Sequence, residues 1–313
     1  MTALAIVSLL ASGTELVCAL GLGDQLVGRS HECDHPPWVK RLPAVSRPTF
    51  DITGSSRAID ERVRKLLFAG ERLYAVDEAL LLELAPDFLI TQTHCEVCAV
   101  SPGDLVHRLP ATLSRRQVVA LGAGTLEDIL DGFMAVASVL GRPHEGAELV
   151  STLRARVSRV AATTRSLPRP TVVCLEWLDP VFAMGNWGPE LIELAGGTPL
   201  LGNPGAHSTT TPWEAVLQAD PDVLVIAPCG FPIERTLHEM PLFAARPDFP
   251  EMKATRSGRV FVADGNLHFN RSGPTVFETP ELLAEMLHPA VFAPRHEGKA
   301  WQRWTALSHS VSQ

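Results

Sequence analysis

The feature that most constrains the fold is a stretch without interruption. The chain has 313 residues and 25 prolines, yet no proline or strand signal falls between Pro143 and about Ser166. Apolar residues recur there every three or four positions, at Leu149, Val150, Leu153, Val157 and Val160, which is the period of one helix face. The spacing predicts a single helix of about 24 residues, about 36 Å long at 1.5 Å per residue. Leu167-Pro168-Arg169-Pro170 ends it. Between two halves of a chain, such a helix acts as a stiff strut and not as a flexible linker.

Strand signals alternate with helix signals on both sides of the strut. Ile6–Leu10, Leu26–Gly28, Phe88–Ile90, Gln117–Leu121, Thr171–Leu175, Val223–Ile226 and Arg259–Ala263 are short apolar runs bounded by turn residues. Helices are expected between them, around Leu16–Leu20, Arg57–Phe68, Leu80–Leu84 and Glu190–Leu194, and after Ser101, Thr125, Thr211 and Thr279. Ser12-x-x-Glu15, Thr125-x-x-Asp128 and Thr211-x-x-Glu214 have the spacing of helix-capping boxes. The halves echo each other: Pro86-Asp87 precedes one apolar strand and Pro221-Asp222 another, and Glu15-Leu16…Gly21 resembles Glu190-Leu191…Gly196. Alternating elements imply α/β architecture with mostly parallel sheets. The boundaries read as an N-terminal lobe over 1–142, a connecting helix over 143–167, a C-terminal lobe over 168–290 and a tail over 291–313. In such sheets ligands sit beyond the carboxyl ends of the strands, and with two lobes both sets of strand ends can face one cleft.

Composition removes several classes of function. Hydrophobic residues make up 46% and charged residues 20% of the chain, which rules out extensive disorder. A net charge of −8 argues against nucleic-acid partners and anionic membranes. No run reaches the length of a membrane-spanning helix, so no membrane insertion is expected. Thr2–Ala11 reads as a buried strand, since no Lys or Arg precedes it and Glu15 follows closely. The expectation is a cytoplasmic protein with reduced thiols, and a periplasmic or other extracytoplasmic one if translation starts upstream. Phosphate-cradling glycine loops and the hydrolase Gly-x-Ser-x-Gly elbow are absent from the sequence.

Two polar loops concentrate chemistry: His31-Glu32-Cys33-Asp34-His35 and His94-Cys95-Glu96-Val97-Cys98. His31, Cys33, His94, Cys95 and Cys98 are candidate transition-metal ligands, although one C-x-x-C lacks the second pair of a zinc ribbon. Redox chemistry at Cys95/Cys98 and plain packing are the competing readings. Cys18 and Cys174 read as core, and Cys229 stays open. A second set, Trp177, Phe182, Trp187, His268 and Phe269, falls at expected strand-end loops. Flat apolar walls with a few polar anchors suit a large ligand, and Gln92, Asn186 and Arg271 are the candidate anchors.

A resemblance joins these segments. Ile6-Val7-Ser8-Leu9 through Ser12-Gly13-Thr14-Glu15, then Leu26–Ser30 and Asp34-His35-Pro36-Pro37, resembles the opening of cobalamin-binding proteins of the vitamin-importer type. Pro86–Ile90, Asp179–Gly185 and Phe269–Pro274 continue it in order, so the likeness covers about residues 4 to 290. His31–Asp34 and Thr93–Ser101 are similar to a sub-branch of that family. The resemblance implies the class III substrate-binding fold: two similar lobes, one rigid connecting helix, and a ligand cleft between the lobes. It places Phe182 against the corrinoid, His268 and Gln92 where the family has tryptophans, and His31 or Glu32 near its tyrosine.

The expected ligand-binding set is therefore His31, Glu32, Asp34, Gln92, His94, Trp177, Phe182, Asn186, Trp187, His268, Phe269 and Arg271. The expected function is non-catalytic binding of cobalamin or a related corrinoid by a monomer, with His31, His94 or His268 reaching the cobalt. An ABC-transporter permease is the partner that the resemblance implies. Binding of a transition metal or of a haem- or siderophore-like metal chelate is the first alternative. A thiol-dependent enzyme acting on a corrinoid or metal complex is the second.

Overall fold

Parallel strands need their starts aligned, and the same short device does this twice in the chain. The computed structural model describes residues 4–93, 99–100 and 118–305. It divides into two compact units, one of residues 1–54, 58–152 and 272–274, the other of residues 55–57, 153–271 and 275–313. In the first unit the strands are β1 (Ile6–Ser8), β2 (Leu26–Arg29), β3 (Ser46–Pro48), β4 (Tyr74–Val76), β5 (Phe88–Gln92) and β6 (Val118–Leu121). Four of them form a parallel sheet in the order β2-β1-β5-β6, and β3 pairs antiparallel with β4. Ile6, Val7, Leu89 and Ile90 are fully buried in the two central strands, as the unbroken apolar runs require of a sheet covered on both faces.

In the second unit the strands are β7 (Thr171–Leu178), β8 (Val181–Ala183), β9 (Thr198–Pro199), β10 (Thr209–Thr210), β11 (Val223–Ile226), β12 (Val260–Ala263) and β13 (Trp301–Arg303). The order is β10-β8-β7-β11-β12-β13, with β9 also on β7. The centre, β7-β11-β12, is parallel, and β8 and β13 run antiparallel at its flanks. The core gathers Val173, Leu175, Leu224, Ile226, Val260 and Val262 from the strands, with Met240, Phe243 and Phe249 from the covering segments.

The sequence echo is a structural repeat. Helix Glu78–Leu84 ends on Ala85 at φ +40°, and helix Trp213–Ala219 ends on Asp220 at φ +36°. Each left-handed cap is followed by Pro-Asp and then the strand. The Asp87 carboxylate accepts the Ala5 N–H at 2.9 Å, just ahead of β1, and the Asp222 carboxylate accepts the Thr171 N–H at 2.8 Å, at the start of β7. Each aspartate thus fixes the register of its own strand against the neighbour.

Helix Pro143–Thr164 has 22 residues, two fewer than the spacing predicts. Val150, Leu153 and Val160 are its buried positions, and the division between the two units falls inside it, between Thr152 and Leu153. Arg156 is held at 2.7 Å by both Glu278 and Glu281.

Two of the three capping boxes are corrected. The first helix spans Ala11–Ala19 with Leu10 as its cap, so Ser12 and Glu15 lie inside it and are buried. The chain turns into the helix directly after β1, which leaves no room for a polar cap. Pro212, not Thr211, precedes helix Trp213–Ala219, because the Thr211 hydroxyl is occupied by the Ala183 N–H. Thr125 and Asp128 do form the reciprocal box of helix Leu126–Val139. Beyond residue 290 the chain adds an edge strand: β13 pairs with β12, and buried Glu285 accepts the Trp301 indole N–H at 2.8 Å.

The Asp222 clamp has a pH signature. The Lys253 ammonium, 2.6 Å away, and then the Thr171 N–H hold the Asp222 carboxyl at about 2, below its ordinary 3.8. A depressed carboxyl contributes stability above its unfolded value and loses it as pH falls through the folded value. The group is partly solvated, which reduces the contribution to about 1 kcal/mol. Urea unfolding of Asp222→Asn should show it less stable by about that amount at neutral pH, with the gap closing between about pH 4 and pH 2. A gap independent of pH would contradict the clamp.

Candidate functional site

In an open parallel sheet, ligands gather where successive connections leave in opposite directions. In the first unit this switch lies between β1 and β5, since β2 flanks β1 on one side and β5 on the other. In the second it lies between β7 and β11, since β9 pairs with β7 on the way to β11 on its other side. The strand-end residues of each unit are described separately.

At the end of β2 the loop turns at Ser30 and presents His31. The imidazole Nδ1 lies 3.0 Å from the Ser46 hydroxyl, which also accepts the His31 backbone N–H at 3.4 Å. Tyr74 packs on the ring with centroids 5.2 Å apart. Nε2 lies 3.8 Å from the Glu32 carboxylate. Burial, and then the Arg29 guanidinium, push the His31 pKa down from 6.5 to about 4, so at neutral pH the ring is uncharged. Arg29 organises this loop by donating to the carbonyls of Ser30, Lys40 and Leu42. Glu32 is exposed and Asp34 half-buried.

Cys33, expected as a metal ligand, lies in the buried interior of the first unit. It is 1% exposed, its sulfur accepts the Thr14 hydroxyl at 3.0 Å, and it lies 3.8 Å from the Ser8 carbonyl. Gln92, at the end of β5, is also buried, and its carboxamide donates to the Ala99 carbonyl at 3.2 Å. His94, Cys95 and Cys98 lie outside the described residues. Among the described residues, no three His, Cys, Asp or Glu side chains group to hold a metal ion. Burial pushes the Cys18 thiol up to about 11, with the Glu15 charge adding to it, and burial pushes Cys174 up as well. Neither is a reactive thiolate at neutral pH.

In the second unit, Trp177, the last residue but one of β7, lies opposite Phe182 of β8. Phe231, in the loop after β11, packs on Trp177 with centroids 5.1 Å apart, and Arg235 lies 4.5 Å over the Phe231 ring. The backbone continues the pairing past the end of β11, with the Cys229 N–H on the Glu176 carbonyl of β7. Asn270 joins the next loop to this one by donating to the Ala227 and Gly265 carbonyls. Trp177 and Phe182 are half-buried.

The other aromatic candidates are placed differently. Trp187 and Phe269 are 4% and 1% exposed, and the Trp187 indole donates to the Phe269 carbonyl. They are interior packing, because the chain turns from β8 into the sheet's covering layer at Trp187. Asn186 adopts φ +49° in a turn braced by Ala206 and Gly205, alongside the early part of β7 and away from its carboxyl end. His268 is buried, 3.9 Å from Glu278, and its carbonyl accepts the Thr279 hydroxyl. Arg271 is buried, with a guanidinium N–H on Asn266 at 2.7 Å. Ser46, Tyr74 and Phe231 are additions that sequence reasoning missed. Their partners lie 15, 43 and 54 positions away, respectively, and no local pattern marks them.

Comparison with known proteins gives one family. The periplasmic binding protein model matches residues 6–267. A periplasmic heme binding protein from Pseudomonas aeruginosa is 24% identical, with a TM-score of 0.69 over 92% of this chain and 93% of that one. The periplasmic vitamin B12 binding protein BtuF of Vibrio cholerae is 19% identical, with a TM-score of 0.65 over 91% and 97%. An ABC transporter substrate-binding protein from Listeria monocytogenes EGD-e is 18% identical, with a TM-score of 0.67 over 91% and 98%. At these identities the likeness is one of fold. No curated protein matches the sequence.

His31 provides the test of this local geometry. Between about pH 6.5 and pH 4 the unfolded chain binds a proton that folded His31 refuses, so stability falls as pH drops through that window. The His31 ring signal in an NMR titration should move with a midpoint near 4. A wild-type midpoint above 6 would mean that the ring is solvated.

Proposed function

Because this chain belongs to the periplasmic binding protein family, it holds a small-molecule ligand without transforming it, and we propose that the ligand is cobalamin or a related corrinoid. The observation that carries this choice is the charge at the strand ends. Glu32 and Asp34 bring carboxylates to the loop after β2, and Asp179, after β7, is paired with Arg57 at 2.8 Å. The arginines nearest the ligand candidates are committed internally: Arg29 to backbone carbonyls, Arg235 to Glu239 and Arg271 to Asn266. A haem carries two carboxylates and calls for cations, whereas a corrinoid carries mainly neutral amide side chains. The net charge of −8 works in the same direction.

Trp177 and Phe182 supply flat apolar contact of the kind a macrocycle requires. An uncharged imidazole is the form that coordinates a metal centre, and His31 is held in that form by burial. A cobalt-facing role therefore goes to His31 ahead of buried His268. The permease of an ABC importer is the partner we propose, as the family and the similar substrate-binding protein from Listeria support. Among the described residues, no helix is long and apolar enough to cross a membrane.

Titration with hydroxocobalamin, followed by its visible bands, tests the reading. A saturable change at or below about 10 µM is expected, with hemin weaker by about tenfold or more. Phe182→Ala should weaken corrinoid binding by about tenfold through lost ring contact. Tighter binding of hemin, or no response to the corrinoid at tens of micromolar, would reject it.

A further inference from the structure

Two neighbouring residues, Ser56 and Arg57, dock on both supports of the Trp177 aromatic group. The chain belongs to the first unit up to residue 54 and again from residue 58, yet residues 55–57 pack as part of the second. Ser56, the first residue of helix Ser56–Phe68, is buried, and its backbone N–H is shared by both oxygens of Glu239 at 2.8 and 3.0 Å. Glu239 is itself buried and holds the Arg235 guanidinium at 2.8 Å. Arg235 is the cation that lies 4.5 Å over Phe231, the ring packed on Trp177. A carboxylate this far from water needs each of its donors, so Glu239 fixes the start of the helix together with Arg235. Arg57 then reaches the other support. Its Nε and Nη2 lie 2.9 and 2.8 Å from one oxygen of Asp179, in the turn that leads from Trp177 to Phe182. Arg246 donates to the Leu178 carbonyl at 2.8 Å, but it comes no closer than 3.8 Å to Asp179. The turn is held from two sides, and Arg57 is the nearer partner of Asp179.

We propose that residues 55–57 form a clasp that sets the aromatic wall of the second unit for its ligand, with Arg57 as the positioning residue. The inference rests on the reading of Trp177 and Phe182 as ligand contacts and deepens it. An exposed ion pair usually contributes little, because two mobile side chains must be ordered to make it. Here the ordering is done in advance: Glu239 anchors the backbone one residue before Arg57, and Arg246 anchors the carbonyl one residue before Asp179. The pair therefore acts on the turn between β7 and β8, whose two ends carry Trp177 and Phe182. A wall that is held by fewer groups must be ordered when the ligand arrives, and that ordering is subtracted from affinity. Arg57 acts through Asp179 and the turn.

The test compares the full-length wild type with Arg57→Ala, Asp179→Asn, their double variant and Arg57→Lys. The Arg57 side chain is 65% exposed, so truncating it leaves the core intact. Backbone amide exchange over residues 177–183 of the ligand-free protein reads the turn without any ligand. In Arg57→Ala it should quicken about threefold, with residues 223–226 of β11 unchanged. Hydroxocobalamin affinity should fall about threefold in Arg57→Ala, with no further loss in the double variant and partial recovery in Arg57→Lys. A merely structural arginine would lower the melting temperature and leave affinity as it was, and unchanged affinity overturns the inference. Unchanged exchange in the turn overturns it too, as do additive losses in the double variant. Wild-type binding of hemin but not hydroxocobalamin overturns the corrinoid reading alone, and the same variants compared with hemin then test the clasp. Binding of neither probe overturns both.

Discussion

Two carboxylates that follow a proline set the frame on which everything else in this chain depends. Asp87 and Asp222 each reach sideways from the start of a strand and take the backbone N–H at the start of its parallel neighbour. A parallel pair cannot be aligned by a tight hairpin, because its strands are joined by long crossovers. A side-chain clamp at the amino ends does that work. Once the starts are aligned the carboxyl ends are aligned too: Trp177 is delivered beside the switch point of its sheet, and His31 follows β2, the neighbour of β1 on the side away from β5. The left-handed caps at Ala85 and Asp220 belong to the same device, since each turns a helix sharply into the Pro-Asp step.

Beyond the clamps, the strand ends divide their polar and aromatic residues into two groups. Cys33, Gln92 and Arg271 turn inward and hydrogen-bond to protein partners, and His268 is buried in the same kind of strand-end position. They make the loops rigid. His31, Trp177 and Phe182 are only half-buried at their strand ends. A site that holds a ligand by shape needs both groups, because contact residues are only as precise as the shell that fixes them. In the corrinoid reading proposed above, neutral His31 adds chemical specificity to this shell.

Most of the fold was legible in the sequence, and the reasons are local. Strand runs such as Val223–Ile226, the proline-free helix that starts at Pro143 and the Thr125 capping box depend on neighbours within a few residues. The Pro-Asp echo was legible as a repeat, although its hydrogen bonds were not. The misread boxes at Ser12 and Thr211 failed because tertiary context decides where a helix begins. The site was less legible. A tryptophan at a strand-end position packs inward or faces a ligand according to partners far away in sequence: Trp187 found the Phe269 carbonyl and Trp177 found Phe231. Cys33 has a ligand-like neighbourhood in sequence and a core environment in space, because Thr14 and Ser8 enclose it. Ser46 and Phe231 carried no sequence signal, since only the sheet brings them to their partners.

The central claim is that a family fold for holding a small molecule is, in this chain, set for a neutral corrinoid. The most direct measurement is native mass spectrometry of the full chain mixed with equal amounts of hydroxocobalamin and hemin. Competition in one tube removes differences in solubility and handling between separate titrations. The prediction is a one-to-one adduct with the mass of the corrinoid as the dominant bound species. A dominant hemin adduct, or a bare protein with neither, would contradict it.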